Sequence, residues 1–173
     1  MNDLLLLATL LGGPKHGYAL KKQAGLISGQ TDMHNNMVYP LLRRFVENGW
    51  VSKRQAAGQR GQTREVYTLT AKGKKEVLRQ AAQFTEREAS SESEFAIRVG
   101  LFGLLDGAQR LAVLRVREEW LEQWEEKFSR MQDGMNIGEW GGEVVRFLRA
   151  QMLAEREWIA GLKRKLKKQE TRK

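Results

Sequence analysis

A mainly α-helical chain with one small β-hairpin is what the sequence predicts, and three observations predict it. Apolar residues recur at helical spacing in most windows. A single stretch alternates at period two on either side of a glycine-containing loop. Charge is divided unevenly: residues 1–89 carry 14 Lys and Arg against 7 Asp and Glu, residues 90–162 carry 9 against 13, and residues 163–173 carry 7 against 1. The basic first half is thereby marked for a polyanionic partner, because a steering field has to be concentrated in one region.

With 173 residues the chain is long enough to bury a core without staples. It has no cysteine, which excludes disulfides, thiolate metal sites and zinc fingers and fits a reducing cytoplasm. The run Leu4–Gly13 reads as a buried helix rather than a targeting segment, since Asp3 stands where positive charge belongs. No run of eighteen apolar residues predicts a membrane span.

The first helix presents Leu4, Leu5, Ala8 and Leu11 on one face and stops at Gly12, Gly13 and Pro14. A second short helix begins at Tyr18, Ala19 and Leu20, is weakened by Gly25 and ends at Gly29. A third, capped by Thr31 or Asp32, carries NNMVYPLLRRFVENGWV. At 100° per residue Val38, Leu41, Leu42, Phe45 and Val46 share one side, whereas Asn36, Pro40, Arg43 and Glu47 share the opposite one. Pro40 lacks an N–H, so it shapes the amino end of this helix or kinks it.

After Gly49, the segment from Val51 to Leu69 reads as two strands around a loop containing Gly58 and Gly61. The second strand sets Arg64, Val66 and Thr68 against Glu65, Tyr67 and Leu69, so one face should be buried. A helix starting near Thr70 carries Lys72, Lys74 and Lys75 in its opening turns. Three helices followed by a two-stranded hairpin is the order of a winged helix-turn-helix, in which one helix enters the major groove and the wing touches neighbouring backbone. The third helix then needs both an apolar stripe and adjacent arginines, one for the core and the other for DNA.

The serine-rich stretch TEREASSESE marks a boundary, placing a winged-helix DNA-binding domain with its linking helix at 1–89 and a helical dimerisation domain with a basic tail at 90–173. In the latter FAIRVGLFGLL reads as one buried helix ended by Asp106 and Gly107. Leu114, Leu121 and Phe128 repeat every seven residues, interleaved with Arg117, Trp124 and Met131. A glycine-rich turn, DGMNIGEWGG, precedes a second stripe of Val145, Leu148, Met152, Glu155, Ile159, Leu162 and Leu166. Two such helices leave apolar surface that symmetric pairing would cover.

The first half resembles the PadR-type transcriptional regulators through GPKHGYAL at 13–20, VYPLLRRFVENGWV at 38–51 and YTLTAKG at 67–73. The resemblance implies a dimeric DNA-binding repressor, with dimerisation through carboxy-terminal helices and, in some relatives, release by a small aromatic or lipophilic effector. Where the family places small residues before its Tyr-Pro, this chain has His34, Asn35, Asn36 and Met37, so the operator does not carry over.

Candidate DNA-binding residues are Lys15, His16, Tyr18, His34, Asn35, Asn36, Tyr39, Arg43 and Arg44, with Lys53, Arg60 and Arg64 on the hairpin. Guanidinium suits phosphate and guanine edges, Asn suits adenine, and a tyrosine hydroxyl can donate to phosphate. Each has a plainer reading: a solvated pair for the arginines, capping for the asparagines, packing for Tyr39. A metal site of His16, His34 and Asp32 lacks the usual spacing, and no cofactor is expected. Trp120 and Trp124, one turn apart, are effector-pocket candidates whose plainer reading is core or interface. An enzyme is disfavoured by the absence of Cys, by only two His, and by the lack of a nucleophile elbow, a P-loop or paired carboxylates on an apolar face. A basic helical adaptor or a nonspecific nucleic-acid binder is the competing reading.

Overall fold

The computed structural model describes residues 2–27, 33–57, 63–134 and 138–171. The chain divides into two compact units, residues 1–83 with 92–105, and residues 84–91 with 106–173. Among the described residues the fold is mainly α-helical with one small antiparallel sheet.

In the first unit α1 (Asn2–Thr9) runs into a 3-10 turn at Leu10–Gly12. Leu4, Leu5, Leu6 and Leu7 are all buried, while Ala8 and Leu11 are half-buried. The expected single stripe is therefore too narrow: four successive leucines span the whole circumference, and α1 packs on both α2 (Gly17–Ile27) and α4 (Ala71–Ala82). Each fully buried leucine contributes roughly 1.5–3 kcal/mol. The helix α3 (Asn35–Glu47) buries Val38, Leu42 and Phe45 completely and half-buries Leu41 and Val46, which is the predicted face. It continues through Pro40, whose missing N–H leaves the Asn36 carbonyl without its helical donor.

The end of α3 is locked by a Schellman motif. Gly49 has φ 68°, its N–H donates to the Val46 carbonyl at 2.9 Å, and the Trp50 N–H reaches back to the Phe45 carbonyl at 2.9 Å. The chain then enters β2 (Val51–Ala57) and returns as β3 (Thr63–Leu69), with Val51 opposite Leu69 and Ala57 opposite Thr63. A further strand, β1 (Lys15–His16), pairs antiparallel with β3 and makes the order β1-β3-β2. Two residues are too few to display a period, so the sequence predicts only the two-stranded part. As the middle strand, β3 buries both Val66 and Tyr67 at its root and exposes Thr63 to Glu65, so the expected one-faced alternation fails there.

Thr70 caps α4 and ties it to the base of the wing. Its hydroxyl accepts from the Gly73 N–H at 3.0 Å and donates to the carbonyls of Gly49 (2.7 Å) and Trp50 (3.0 Å). Gly73 lies so close to the Trp50 carbonyl that a Cβ there would come within 2.0 Å of its oxygen. The segment FAIRVGLFGLL is not one helix. Its first part completes α6 (Glu92–Gly100), which is followed by a 3-10 turn at Phe102–Leu104, and Leu104 is exposed. Arg98 interrupts the apolar run and is buried, donating to Glu94 at 2.6 Å and to the Gln83 carbonyl at 3.2 Å.

In the second unit α5 (Glu86–Ala89) carries a capping box between Thr85 and Glu88, so the polar boundary stretch is partly ordered helix. Asp106 accepts from the Gln109 N–H at 2.8 Å and opens α7 (Gly107–Gly134) rather than merely closing what precedes it. The second long helix, α8 (Gly138–Glu170), already includes the EWGG that the sequence assigns to a turn. The two helices pack together through Val113, Leu114, Leu121, Met152, Ile159 and Leu166, which are all buried. No helix among the described residues is long and apolar enough to cross a membrane.

Candidate nucleic-acid interface

The helix α3 exposes Asn35, Asn36, Tyr39, Pro40 and Arg43 to solvent, with Asn36, Pro40 and Arg43 opposite its buried face. His34 is its N-cap residue, extended at φ −67° and ψ 139°, with no side-chain capping bond. This corrects the expected cap: Thr31 and Asp32 lie outside the described residues, and Asn35 and Asn36 are the first helical residues rather than caps. Their amide groups are thus not engaged as helix caps, which is what base or phosphate recognition requires.

The adjacent arginines go different ways. Arg43 is exposed on the outer face and has no ion-pair partner among the described residues. Arg44, one position and 100° further round, is salt-bridged to Asp3 of α1 and lies over the Phe45 ring, 5.8 Å from its centroid. On the wing, the Lys53 ammonium sits 2.7 Å from a Glu65 oxygen, while Arg64 is exposed. Arg60 lies outside the described residues.

A cavity of about 620 Å³ joins residues that the sequence nominates separately. His16 from β1, Tyr18 from α2, Tyr39 from α3 and Arg64 from β3 all line it, together with Gly17, Glu65 and Tyr67. All three tyrosines of the chain are among these residues. Tyr18 is 68% exposed and Tyr39 45% exposed, so their rings are open to a ligand. Lys15 is half-buried in β1 opposite Tyr67, and the His16 Nδ1 lies 3.3 Å from the Glu65 carbonyl oxygen. A Cβ at Gly17 would meet the Tyr39 ring at 3.1 Å, which accounts for glycine immediately before Tyr18.

Glu65 organises this region. It accepts from Lys53 and from the Tyr67 hydroxyl, the latter at 2.7 Å, and those two hydrogen bonds hold its carboxyl below the usual carboxylate range. Burial, followed by the hydrogen bond to Glu65, pushes the Tyr67 phenol well above its ordinary value. The cavity wall therefore offers hydroxyls, a guanidinium and an imidazole to an anion, while its one carboxylate is engaged with two donors. Asp3, Glu65 and Tyr67 are residues that sequence reasoning missed. The Glu65–Tyr67 pairing was legible as same-face neighbours on a strand, but Asp3 could not be connected to Arg44 across the intervening chain.

Among the described residues no cluster of His, Asp and Glu is arranged to hold a metal ion. Trp120 and Trp124 stack on α7, with ring centroids 5.7 Å apart and planes 12° from parallel. The Arg117 guanidinium covers the Trp120 ring at 4.7 Å, and Phe128 extends the ladder 6.4 Å beyond Trp124.

Residues 6–79 match the transcriptional regulator PadR-like family. No curated protein matches the chain. Among solved structures, TA0346 of Thermoplasma acidophilum, described as a transcriptional regulator, is 33% identical over 43% of this chain and 71% of its own, with a TM-score of 0.40. A PadR family transcriptional regulator of Eggerthella lenta is 29% identical over 43% of this chain and 63% of its own, with a TM-score of 0.38. For a PadR family transcription regulator of Clostridium difficile the figures are 22%, 43%, 77% and 0.38.

Proposed function

Through residues 6–79 the chain belongs to the transcriptional regulator PadR-like family, and on that premise we propose that it is a sequence-specific repressor acting as a homodimer on an inverted-repeat operator. The DNA-binding half comprises residues 1–89 and the dimerisation half residues 90–173. The carrying observation is the outer face of α3, where Asn36, Tyr39 and Arg43 stand exposed above a fully buried Val38, Leu42 and Phe45. A rigid helix with one docked face and one hydrogen-bonding face fits the major groove.

In this reading α3 reads bases through Arg43 and the Asn35–Asn36 pair. Lys15, His16, Tyr18, His34 and Tyr39 engage sugar-phosphate around its amino end. Lys53, Arg60 and Arg64 follow the backbone from the wing, and Arg44 contributes when its guanidinium leaves Asp3. Dimerisation is supported by the exposed apolar residues of α8, among them Trp140, Val144 and Phe147. A two-fold dimer reads half-sites about 34 Å apart, or a multiple of that. The stacked Trp120 and Trp124 are the seat of a small aromatic or lipophilic effector that releases DNA.

Selection of tight binders from a random duplex pool tests the reading. A palindromic consensus bound about 10³-fold or more above bulk DNA is expected. Uniform affinity for all duplexes would instead identify a nonspecific binder, and no binding at all an adaptor. Tryptophan emission titrated with planar aromatic compounds tests the effector: a change in emission accompanied by DNA release is expected.

A further inference from the structure

We propose that Asp3 and Glu65 form an electrostatic brake on the DNA face, each holding one of its cations in an internal ion pair with which phosphate must compete. The inference rests on the DNA-binding reading above and names how that surface is regulated. Two of the cations assigned to DNA are already neutralised in the protein alone. Arg44 is bound to Asp3, with side chains 49% and 34% exposed, and Lys53 is bound to Glu65 at 2.7 Å, with both side chains 45% exposed.

The two anchors are built to stay in place. Asp3 projects from α1, whose next four residues, Leu4 to Leu7, are buried in the core, so its backbone cannot follow Arg44 outward. Glu65 is held independently by the Tyr67 hydroxyl, whose own residue is buried at the sheet root. Because carboxylate and phosphate oxygens compete for the same donors, an anchored carboxylate subtracts from the grip on any duplex. Partial exposure of both partners makes each pair breakable, worth a factor of about two to five in a binding constant. The cost matters most for bulk DNA, where phosphate contacts supply essentially all of the affinity. Arg43 and Arg64 carry no such partner among the described residues and remain committed to the ligand.

The test uses the full chain and a mixed-sequence duplex, with binding measured across a salt series. Asp3→Asn and Glu65→Gln should each tighten binding about two- to fivefold at low salt, and each should steepen the log–log salt slope by up to ~0.9 as one more cation becomes available. The Asp3→Asn effect should vanish in an Arg44→Ala background, and the Glu65→Gln effect in a Lys53→Ala background. Circular dichroism and a denaturant midpoint verify folding, with Gln at 65 retaining an acceptor for Tyr67. Folded single variants that bind no more tightly overturn the brake, as does an Asp3→Asn gain that survives the loss of Arg44, which would report net charge alone. If the unmodified protein binds no duplex, the regulator reading fails and the brake with it. If it binds while the variants are unaffected, only the brake fails.

Discussion

Arg117 of α7 and Glu155 of α8 meet in a two-bond ion pair of 2.7 and 2.6 Å, with the arginine side chain only 2% exposed. The same guanidinium also donates to the Ala89 carbonyl at the end of α5. Along this seam Lys163 pairs with Glu118, Arg156 with Glu122 and Glu125, and Arg149 bonds Ser129. The cations of α8 fall every seven residues, so the register of the two helices is set by charge as well as by apolar packing.

Breaking that pair from the acidic side strands a buried cation. Glu155→Ala should lower unfolding free energy by about 3–5 kcal/mol in a denaturant melt. The double variant Arg117→Met, Glu155→Leu should recover much of the loss, because it also removes the buried charge that has lost its carboxylate.

Gly73 has backbone and Leu69 side-chain atoms where a Cβ would go, at 2.0 and 2.7 Å. Relief requires α4 to move off the Trp50 carbonyl, which also opens the Thr70 cap. Gly73→Ala should cost about 1–3 kcal/mol or more, read as a drop in denaturant midpoint. DNA affinity should fall with it, since the wing root shifts.

Arg43 and Arg44 should not be equivalent. Removing Arg43 deletes a guanidinium with no ion-pair partner among the described residues and should weaken operator binding by about 1–3 kcal/mol. Removing Arg44 deletes a cation already shared with Asp3 and should cost less. Filter binding of the two alanine variants on a selected operator decides this, and equal losses would count against the division.

The pH dependence of stability follows from Glu65 and Tyr67. The depressed carboxyl of Glu65 contributes stability that is present at neutral pH and lost as pH falls through and below the carboxylate range. The raised phenol of Tyr67 contributes stability that is complete below the ordinary tyrosine value of about 10 and lost as pH climbs beyond it. Denaturant midpoints measured against pH should therefore decline at both ends. Glu65→Gln should flatten the acid limb and Tyr67→Phe the alkaline one. Phenolate absorbance should also show a late-ionising component that Tyr67→Phe removes.

Trp140 and Phe147 are 80% and 62% exposed on the same side of α8. In the dimeric reading, charging both (Trp140→Glu, Phe147→Glu) should yield a monomer by light scattering. Operator affinity should drop as the two half-sites are no longer read together.

Much of the first unit's fold was legible because it is local. The α3 stripe, the Gly49 stop, the helix start near Thr70 and the hairpin follow from spacing and from residues with special backbone chemistry. Burial of Leu4 to Leu7 on every side, the β1 strand and the break inside FAIRVGLFGLL were not. Each depends on which elements cover a segment, and a short segment's own pattern does not record its neighbours.

Residue order alone determined which side of the third helix is oily and which is polar, where that helix stops, and that a cationic hairpin follows it. Only the tertiary structure decided that Arg44 bonds Asp3 while Arg43 has no ion-pair partner among the described residues, and that His16, Tyr18, Tyr39 and Arg64 share one cavity. The physical reason is range. Periodicity fixes directions about one helix or strand axis, whereas a salt bridge 41 residues apart in sequence exists only once packing has brought two axes together.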